Sequence, residues 1–360
     1  MPLPSPDVAG RVTLQTIADR LGVSRMTVSN AFSRPEQLSA ALRARILATA
    51  DELGYAGPDP AGRALARGTS GAVGVLLTDS LHEAFADEIA TSFLRGVVEE
   101  LAPSGRALTM LTSSERDDLV PARDLALDAA LIYSCRPTST AREWLLRRRL
   151  PLVFVDQHDE PGYSTINVDD RGGARAAAAH LVDLGHRNIG IVTHTVVGET
   201  GPATVEHYLG ADSPEGYPQR ERMFGWLDAL TAAGIDPPVM HISHGDDARP
   251  VAAQLLDHPD RPSAVLCFSD VVAFDVIAAA GDLGLGVPAD LSVVGFDDSP
   301  SAQTNSPPLT TVRQDVVAKG HAAGKALLAA LAGDGDAHLA TSTLLPTELV
   351  VRASTATPAR

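Results

Sequence analysis

Apolar residues recur with two different periods along this chain. Over residues 12–53 the period is helical. Leu14, Ile17, Ala18 and Leu21 fall on one face of a first helix, Val28, Ala31 and Phe32 on one face of a second, and Leu42, Ile46, Leu47, Ala50 and Leu53 on one face of a third. Thr13, Ser24 and Ser39 stand where N-caps belong. Gly22 breaks the chain between the first two helices as a tight turn requires, Val23 fills the space between them, and Gly54 closes the third. Asp59 and Pro60 then open a short helical stretch over 60–66, too short to be stable alone in water. From Ala72 onward the pattern changes. Apolar runs at 72–77, 107–111, 129–133, 152–155, 189–192, 264–268 and 291–295 alternate with helical patterns at 84–101, 141–149, 172–184, 220–233, 248–256 and 271–283. That alternation predicts parallel sheets with helices on both faces, and such sheets bind ligands beyond the carboxyl ends of their strands.

The first three helices pack with Arg25, Met26, Ser29 and Asn30 left on an outer face. This is the arrangement of a helix-turn-helix, in which the start of the second helix enters the major groove of DNA. Arg25 can fork onto guanine O6 and N7, Asn30 can pair with adenine, and Met26 can touch a thymine methyl. Thr27 and Ser29 suit phosphate or base-edge contacts, and Thr13 and Ser24, at the helix starts, join the set expected to meet DNA. Leu65, the one large apolar residue in 60–66, suits a wedge that opens a base step in the minor groove. The plainer alternative is a small three-helix core with a polar surface, followed by a flexible linker.

Charge at first argues against nucleic acid, since the chain carries a net −16. Its distribution resolves the conflict: residues 1–68 hold eight Arg against six Asp plus Glu, a net +2, and the remainder holds 21 basic against 39 acidic residues, a net −18. A basic module on an acidic body keeps the bulk from sticking to DNA non-specifically. Apolar residues make up 44% of the chain, ample for a core in each of about two further domains. Cys135 and Cys267 lie in or beside apolar runs far apart in sequence, which reads as buried free thiols. The first residues carry neither a basic n-region nor an apolar h-region, and no run is long enough to span a membrane. A cytoplasmic protein is the expectation.

Several segments resemble the lactose-repressor/galactose-repressor family of bacterial transcription regulators. They are the helix-turn-helix from Val12 to Tyr55, the hinge Gly62-Arg63-Ala64-Leu65, and the stretch 166–170 with Gly172-Gly173, His180-Leu181 and Gly185-His186-Arg187. Val287-Pro288, Val293 to Asp298 and Thr310-Thr311-Val312 complete the set. The resemblance covers nearly the whole chain. It implies a headpiece over 11–57, a hinge helix and linker over 58–70, and a two-lobed α/β body over 71–360 like that of periplasmic binding proteins. The lobes would divide as 71–164 with 304–332 and 165–303 with 333–360, joined by three crossings. Two departures stand out. One extra residue separates Tyr55 from the hinge, and Gly62 replaces the usual Ala, which weakens the hinge helix by roughly 1 kcal/mol.

The resemblance also implies an effector site: Arg222 in Arg-x-x-Gly, Asp270 and Asp156 after their strands, Asp247 where an aromatic or amide is usual, Asp79 and Phe85 after the first strand, and Gln314 past the last crossing. Carboxylates accept paired hydrogen bonds from vicinal hydroxyls and an arginine donates to oxygens, so the chemistry suits a sugar or polyol. An Asp after a strand is also often a helix cap, the alternative for Arg222 is a surface ion pair, and a phenylalanine such as Phe85 is more often core than platform. Residues 194–218 are longer than the family carries there and read either as a loop at the cleft mouth or as an inserted segment without a role.

Three motifs fail. Gly320 to Lys325 is one residue short of a phosphate loop, lacks the Ser/Thr and sits in a helical pattern. His241 and His244 would point to opposite faces of a strand, so no metal is expected. No Ser-His-Asp logic is present. The expected function is therefore a homodimeric DNA-binding regulator, a repressor released from a pseudo-palindromic operator by a small effector, with no cofactor and no membrane partner. A dimer is preferred to a tetramer because residues 353–360 carry no leucine heptad. The alternatives are co-repression by a purine-like effector, a cytosolic solute-binding protein, or a sugar-active enzyme.

Overall fold

The computed structural model describes residues 12–77, 85, 87–112, 120–135, 139–195, 198–210, 213, 215–243, 246–333 and 340–359. Two compact units meet at Ser70 and Gly71. The head holds α1 (Leu14–Leu21), α2 (Arg25–Ser33), α3 (Ala40–Glu52) and α4 (Pro60–Arg67). Ile17, Ala18, Val28, Ala31, Ile46 and Ala50 form its core, the positions that the helical period selects. Thr13 and Thr16 cap α1 reciprocally, each hydroxyl accepting the other residue's backbone N–H at 3.2–3.3 Å. Gly22 then takes the left-handed conformation, φ 65°, that the tight turn demands. Ser24 caps α2 through the Thr27 N–H at 3.0 Å.

The body contains β1 (Ala72–Leu76), α5 (Glu88–Leu101), β2 (Ala107–Leu111), α6 (Pro121–Asp124), β3 (Ala129–Tyr133), α7 (Thr140–Arg147), β4 (Leu152–Val155) and β5 (Ser164–Val168). It continues with α8 (Asp170–Asp183), β6 (Ile189–Thr195), β7 (Gly201–Ala203), α9 (Glu206–Leu209), α10 (Tyr217–Ala232), β8 (Val239–Ser243), α11 (Arg249–Leu256), β9 (Ala264–Cys267) and α12 (Asp270–Asp282). Last come β10 (Ser292–Val294), α13 (Pro300–Thr304), β11 (Thr311–Gln314), α14 (Val316–Ala332), β12 (Ser342–Leu345) and β13 (Thr347–Val350). One sheet runs β12-β5-β4-β3-β1-β2, all parallel. A second runs β10-β9-β6-β8-β7, parallel except for β7. Each sheet is covered on both faces, as continuous apolar strands require. Val73, Val75, Leu131, Tyr133, Val153 and Val155 pack under α5 and α14, while Leu76, Ile132 and Phe154 face the opposite way with Leu145 of α7.

The chain leaves the first sheet after β5, returns through β11 to α14, and crosses again between β12 and β13, which pairs antiparallel with β11. Three crossings are thus present, with different boundaries from those expected. Residues 165–168 and 342–345 belong to the first sheet, because β5 pairs with β4 and β12 with β5. The dividing points lie after β5 and after β12. Residues beyond β13 run along β10: Val293 donates its N–H to the Ser354 carbonyl at 2.9 Å, and the Ser354 hydroxyl donates back to Val293 O at 2.7 Å.

The 194–218 segment has structure of its own. β7 forms an antiparallel edge on β8, and α9 buries Tyr208 completely. Within this segment the buried Glu215 accepts from Thr195 Oγ1 at 2.5 Å and pairs with His207 at 2.7 Å. Both cysteines are buried and outside any disulfide. The Gly320 to Lys325 motif lies inside α14, where a Cβ on Gly320 would meet the Phe93 carbonyl of α5 at 2.3 Å. Glycine serves helix packing there. His241 is buried on β8, and His244 lies outside the described residues.

Candidate functional site

On the head, the outer face of α2 carries Arg25 and Met26, the latter 68% exposed. Ser29 and Asn30 are half-buried; Asn30 Nδ2 donates to Gln37 Oε1 at 3.0 Å, which fixes the amide beside the helix. Thr13 and Ser24 spend their hydroxyls on capping, and Thr27 Oγ1 lies 2.8 Å from Ser24 Oγ. Arg25 and Met26 are therefore the side chains that face outward with no such commitment. On α4, Leu65 is 87% exposed. An exposed leucine on an eight-residue helix gains nothing from the head's own core.

In the body, a buried cluster of charge lies beyond the carboxyl ends of strands from both sheets. Asp156 follows β4 at φ 52°, and Asp297 follows β10 at φ 116°, both left-handed. Asp170 opens α8 just past β5, Arg222 projects from the first half of α10, Gln314 ends β11, and Lys319 lies in the second turn of α14. Arg222 reaches Asp170 because Gly225 lets α10 press onto α8; a Cβ at Gly225 would stand 2.2 Å from the Arg171 carbonyl. Its Nε donates to Asp170 Oδ1 at 2.8 Å and its Nη1 to the Phe268 carbonyl at 2.5 Å, while Nη2 lies 3.6 Å from Asp297 Oδ1. The guanidinium also lies 3.6 Å from the Phe296 ring centre and 4.5 Å from that of Phe268. Lys319 Nζ donates to Asp156 Oδ2 at 2.6 Å and to Gln314 Oε1 at 3.1 Å, and Gln314 Nε2 donates to Asp297 Oδ1 at 2.6 Å.

Desolvation dominates the electrostatics. Burial pushes Asp170 up to about 6 against the opposing pull of Arg222, and pushes Asp297 up to about 8, with Arg222 again opposing and Asp270 adding repulsion. Burial likewise raises Asp270 to about 6 although Thr311 and Ser299 donate to it. Burial also lifts the Tyr133 phenol, with Asp156, Asp87 and Asp297 adding to the rise. Two buried oxygens here have no protein partner: Asp156 Oδ1 and Asp170 Oδ2. An acceptor left unpaired in the interior is costly, and a ligand that donates to it removes that cost.

Of the residues expected at an effector site, Asp156, Arg222 and Gln314 come together. Asp270 abuts them, but both its oxygens are engaged, Oδ1 by Thr311 at 2.5 Å and Oδ2 by the Ser299 N–H at 2.7 Å. Asp247 is exposed and accepts the Arg249 N–H at 2.9 Å, an arrangement that caps the start of α11. Phe85 is 59% exposed, and Asp79 lies outside the described residues. Four cluster members were not singled out: Asp170 and Asp297, which stood in the crossover motifs, Tyr133, and Lys319, one of only two lysines in the chain. Both of the chain's lysines lie in the apolar run of α14, and the one nearer its start, Lys319, was the available signal. Among the described residues no group of three or more His, Cys, Asp or Glu is placed to hold a metal, and no helix is long and apolar enough to cross a membrane.

Known proteins match this architecture throughout. The model of the lacI family of bacterial regulatory proteins matches residues 13–57, and that of periplasmic binding protein-like domains matches residues 178–355. An HTH-type transcriptional regulator of Mycobacterium tuberculosis is 37% identical over 337 residues, covering 90% of this chain and 92% of that protein. A LacI-family regulator from Corynebacterium glutamicum of known structure is 35% identical, with TM-score 0.67 over 97% of this chain and all of that one. The lac repressor dimer bound to operator and the anti-inducer ONPF is 25% identical, with TM-score 0.73 over 96% of this chain and all of that one.

Proposed function

The chain belongs to the lacI family of bacterial regulatory proteins, and from that premise we propose that it is a homodimeric repressor which a sugar or polyol, bound between its lobes, releases from its operator. It is a DNA-binding transcriptional regulator of the bacterial cytoplasm, not an enzyme, and its partners are operator DNA and a small effector. In the finer reading, α2 enters the major groove and Arg25 reads a guanine, with Met26 and Asn30 beside it. Leu65 enters the minor groove as a wedge. Two heads meet two half-sites, and effector binding is coupled to operator release.

The observation that carries the effector class is the pair of unpartnered buried oxygens, Asp156 Oδ1 and Asp170 Oδ2. Both are acceptors, so the ligand they favour brings hydroxyl donors and no negative charge. The test is thermal melting of the full chain against neutral sugars, polyols, nucleobases and sugar phosphates, repeated on Asp156→Asn. A neutral polyhydroxyl hit lost in the variant is expected. A nucleobase or sugar phosphate that stabilises the protein while neutral sugars and polyols do not would overturn the assignment.

A further inference from the structure

The cleft's buried groups form one unbroken chain, Asp156–Lys319–Gln314–Asp297–Arg222–Asp170, and we propose that it is a proton-operated latch between the lobes. The proposal rests on the effector reading above only in taking the space between the lobes as the regulated site. Asp156 and Lys319 belong to the first lobe, Gln314 to a crossing strand, and Asp297 and Arg222 to the second lobe. Lys319, Asp156, Arg222 and Asp170 are each at most 5% exposed, so the contacts form only while the lobes exclude water from between them.

The charge in this space does not balance. Among the described residues two buried cations, Arg222 and Lys319, stand against the buried Asp156, Asp170, Asp270 and Asp297, with the exposed Asp87 near enough to act on Asp297 and Tyr133. Asp297 is the centre of the chain. It is faced by Arg222 from α10, Gln314 from β11, Asp270 from α12, Asp87 at the start of α5 and Tyr133 at the end of β3. The adjoining Asp298 is taken up by Arg313 and Arg352. Asp297 is therefore held in a crowded acidic interior, in a backbone conformation that a residue with a Cβ rarely adopts.

Linkage then fixes the direction. In the closed body burial holds the Asp297 carboxyl up at about 8, so it carries a proton at neutral pH. When the lobes part, water reaches it and it returns toward the ordinary carboxylate range. Closing takes up a proton. The closed-to-open ratio falls by up to about tenfold per pH unit until the closed-state value near 8 is passed.

The experiment follows lobe separation with no ligand present. Donor and acceptor dyes are placed on Ser104→Cys and Asp260→Cys, exposed positions of the first and second lobe; the native cysteines are buried and stay unlabelled. Transfer efficiency should change in one step as pH rises from about 6 to about 8, above the range in which Asp170 and Asp270 titrate, and Asp297→Asn should abolish the step. Should that variant not fold, Gln314→Leu serves. It removes a hydrogen bond that lowers the Asp297 value, so the step should move to higher pH. A flat profile in the parent protein, a step that persists in Asp297→Asn, or one unmoved in Gln314→Leu overturns the latch. Because no sugar enters the measurement, the effector assignment stands or falls separately, on the melting panel.

Discussion

In the head, Arg20 and Glu52 meet at 3.4 Å with more than half of each side chain in water; in the body, Lys319 and Asp156 meet at 2.6 Å with at most 5% of either exposed. The same chemistry serves opposite ends. Head polar groups mostly cap helices within three residues, pair in water as Arg20 and Glu52 do, or stay outward for a partner, and none of these is buried. Cleft polar groups pair over as many as 163 residues of sequence, only the Lys319–Gln314 link being local, and each is a partner of at least one other. A charge in water is worth little to stability, whereas removing one member of a buried pair leaves the other stranded. A surface meant to meet DNA is built from independent parts, and a cavity meant to respond to a ligand is built from interdependent ones.

That contrast can be broken at three levels. The largest effect should come from Arg222→Met, which leaves Asp170 and Asp297 buried without their cation. Chemical denaturation of the full chain should show a loss of roughly 3–5 kcal/mol in the body's transition. A loss below about 1 kcal/mol would mean that the cluster is far wetter than its burial implies. Next is Arg25→Ala in the head. Its denaturation midpoint should not move, yet binding to a selected operator, followed by fluorescence anisotropy, should weaken by roughly 1–3 kcal/mol with specificity lost at one base pair. Equal weakening on every sequence would reassign Arg25 to phosphate. The smallest is Glu52→Gln, which should change head stability by no more than about 0.5 kcal/mol; a larger change would erase the distinction between the two regions.

The contrast also explains what could be read in advance. Capping, apolar period and turn glycines are local, so α1, α2 and α3 could be read from letters a few residues apart. Strands with continuous apolar runs, such as β3 and β4, were equally visible. The β7 strand was not, because Gly-Pro-Ala has the composition of a turn and acquires its pairing only from β8. Neither was β12, whose half-exposed Ser-Thr-Leu-Leu depends on β5 for its place in the sheet. The same limit hid the cleft. Arg222 and Asp156 could be named singly, but that Arg222 is clamped between two aromatic rings, or that Lys319 holds Asp156 from 163 residues away, depends on how both sheets close. Asp247, named for the effector site, has a local hydrogen bond that its sequence neighbours already offered, accepting the Arg249 N–H at the start of α11.

The second sheet ends on β10 at one side and β7 at the other, and the two margins are finished differently. Along β10 the irregular segment 353–356 covers the margin, with Ser354 taking up both backbone groups of Val293 and the Ala356 N–H donating to Ser292 Oγ. On β7, Pro202 has no N–H to offer. Open sheet margins are templates on which other chains can stack into aggregates, and covering or interrupting them is how soluble β-proteins avoid that fate. Residues 353–356 thus work as a selvedge: a few residues laid back along the weave so that one copy of the protein does not become the starting edge for another.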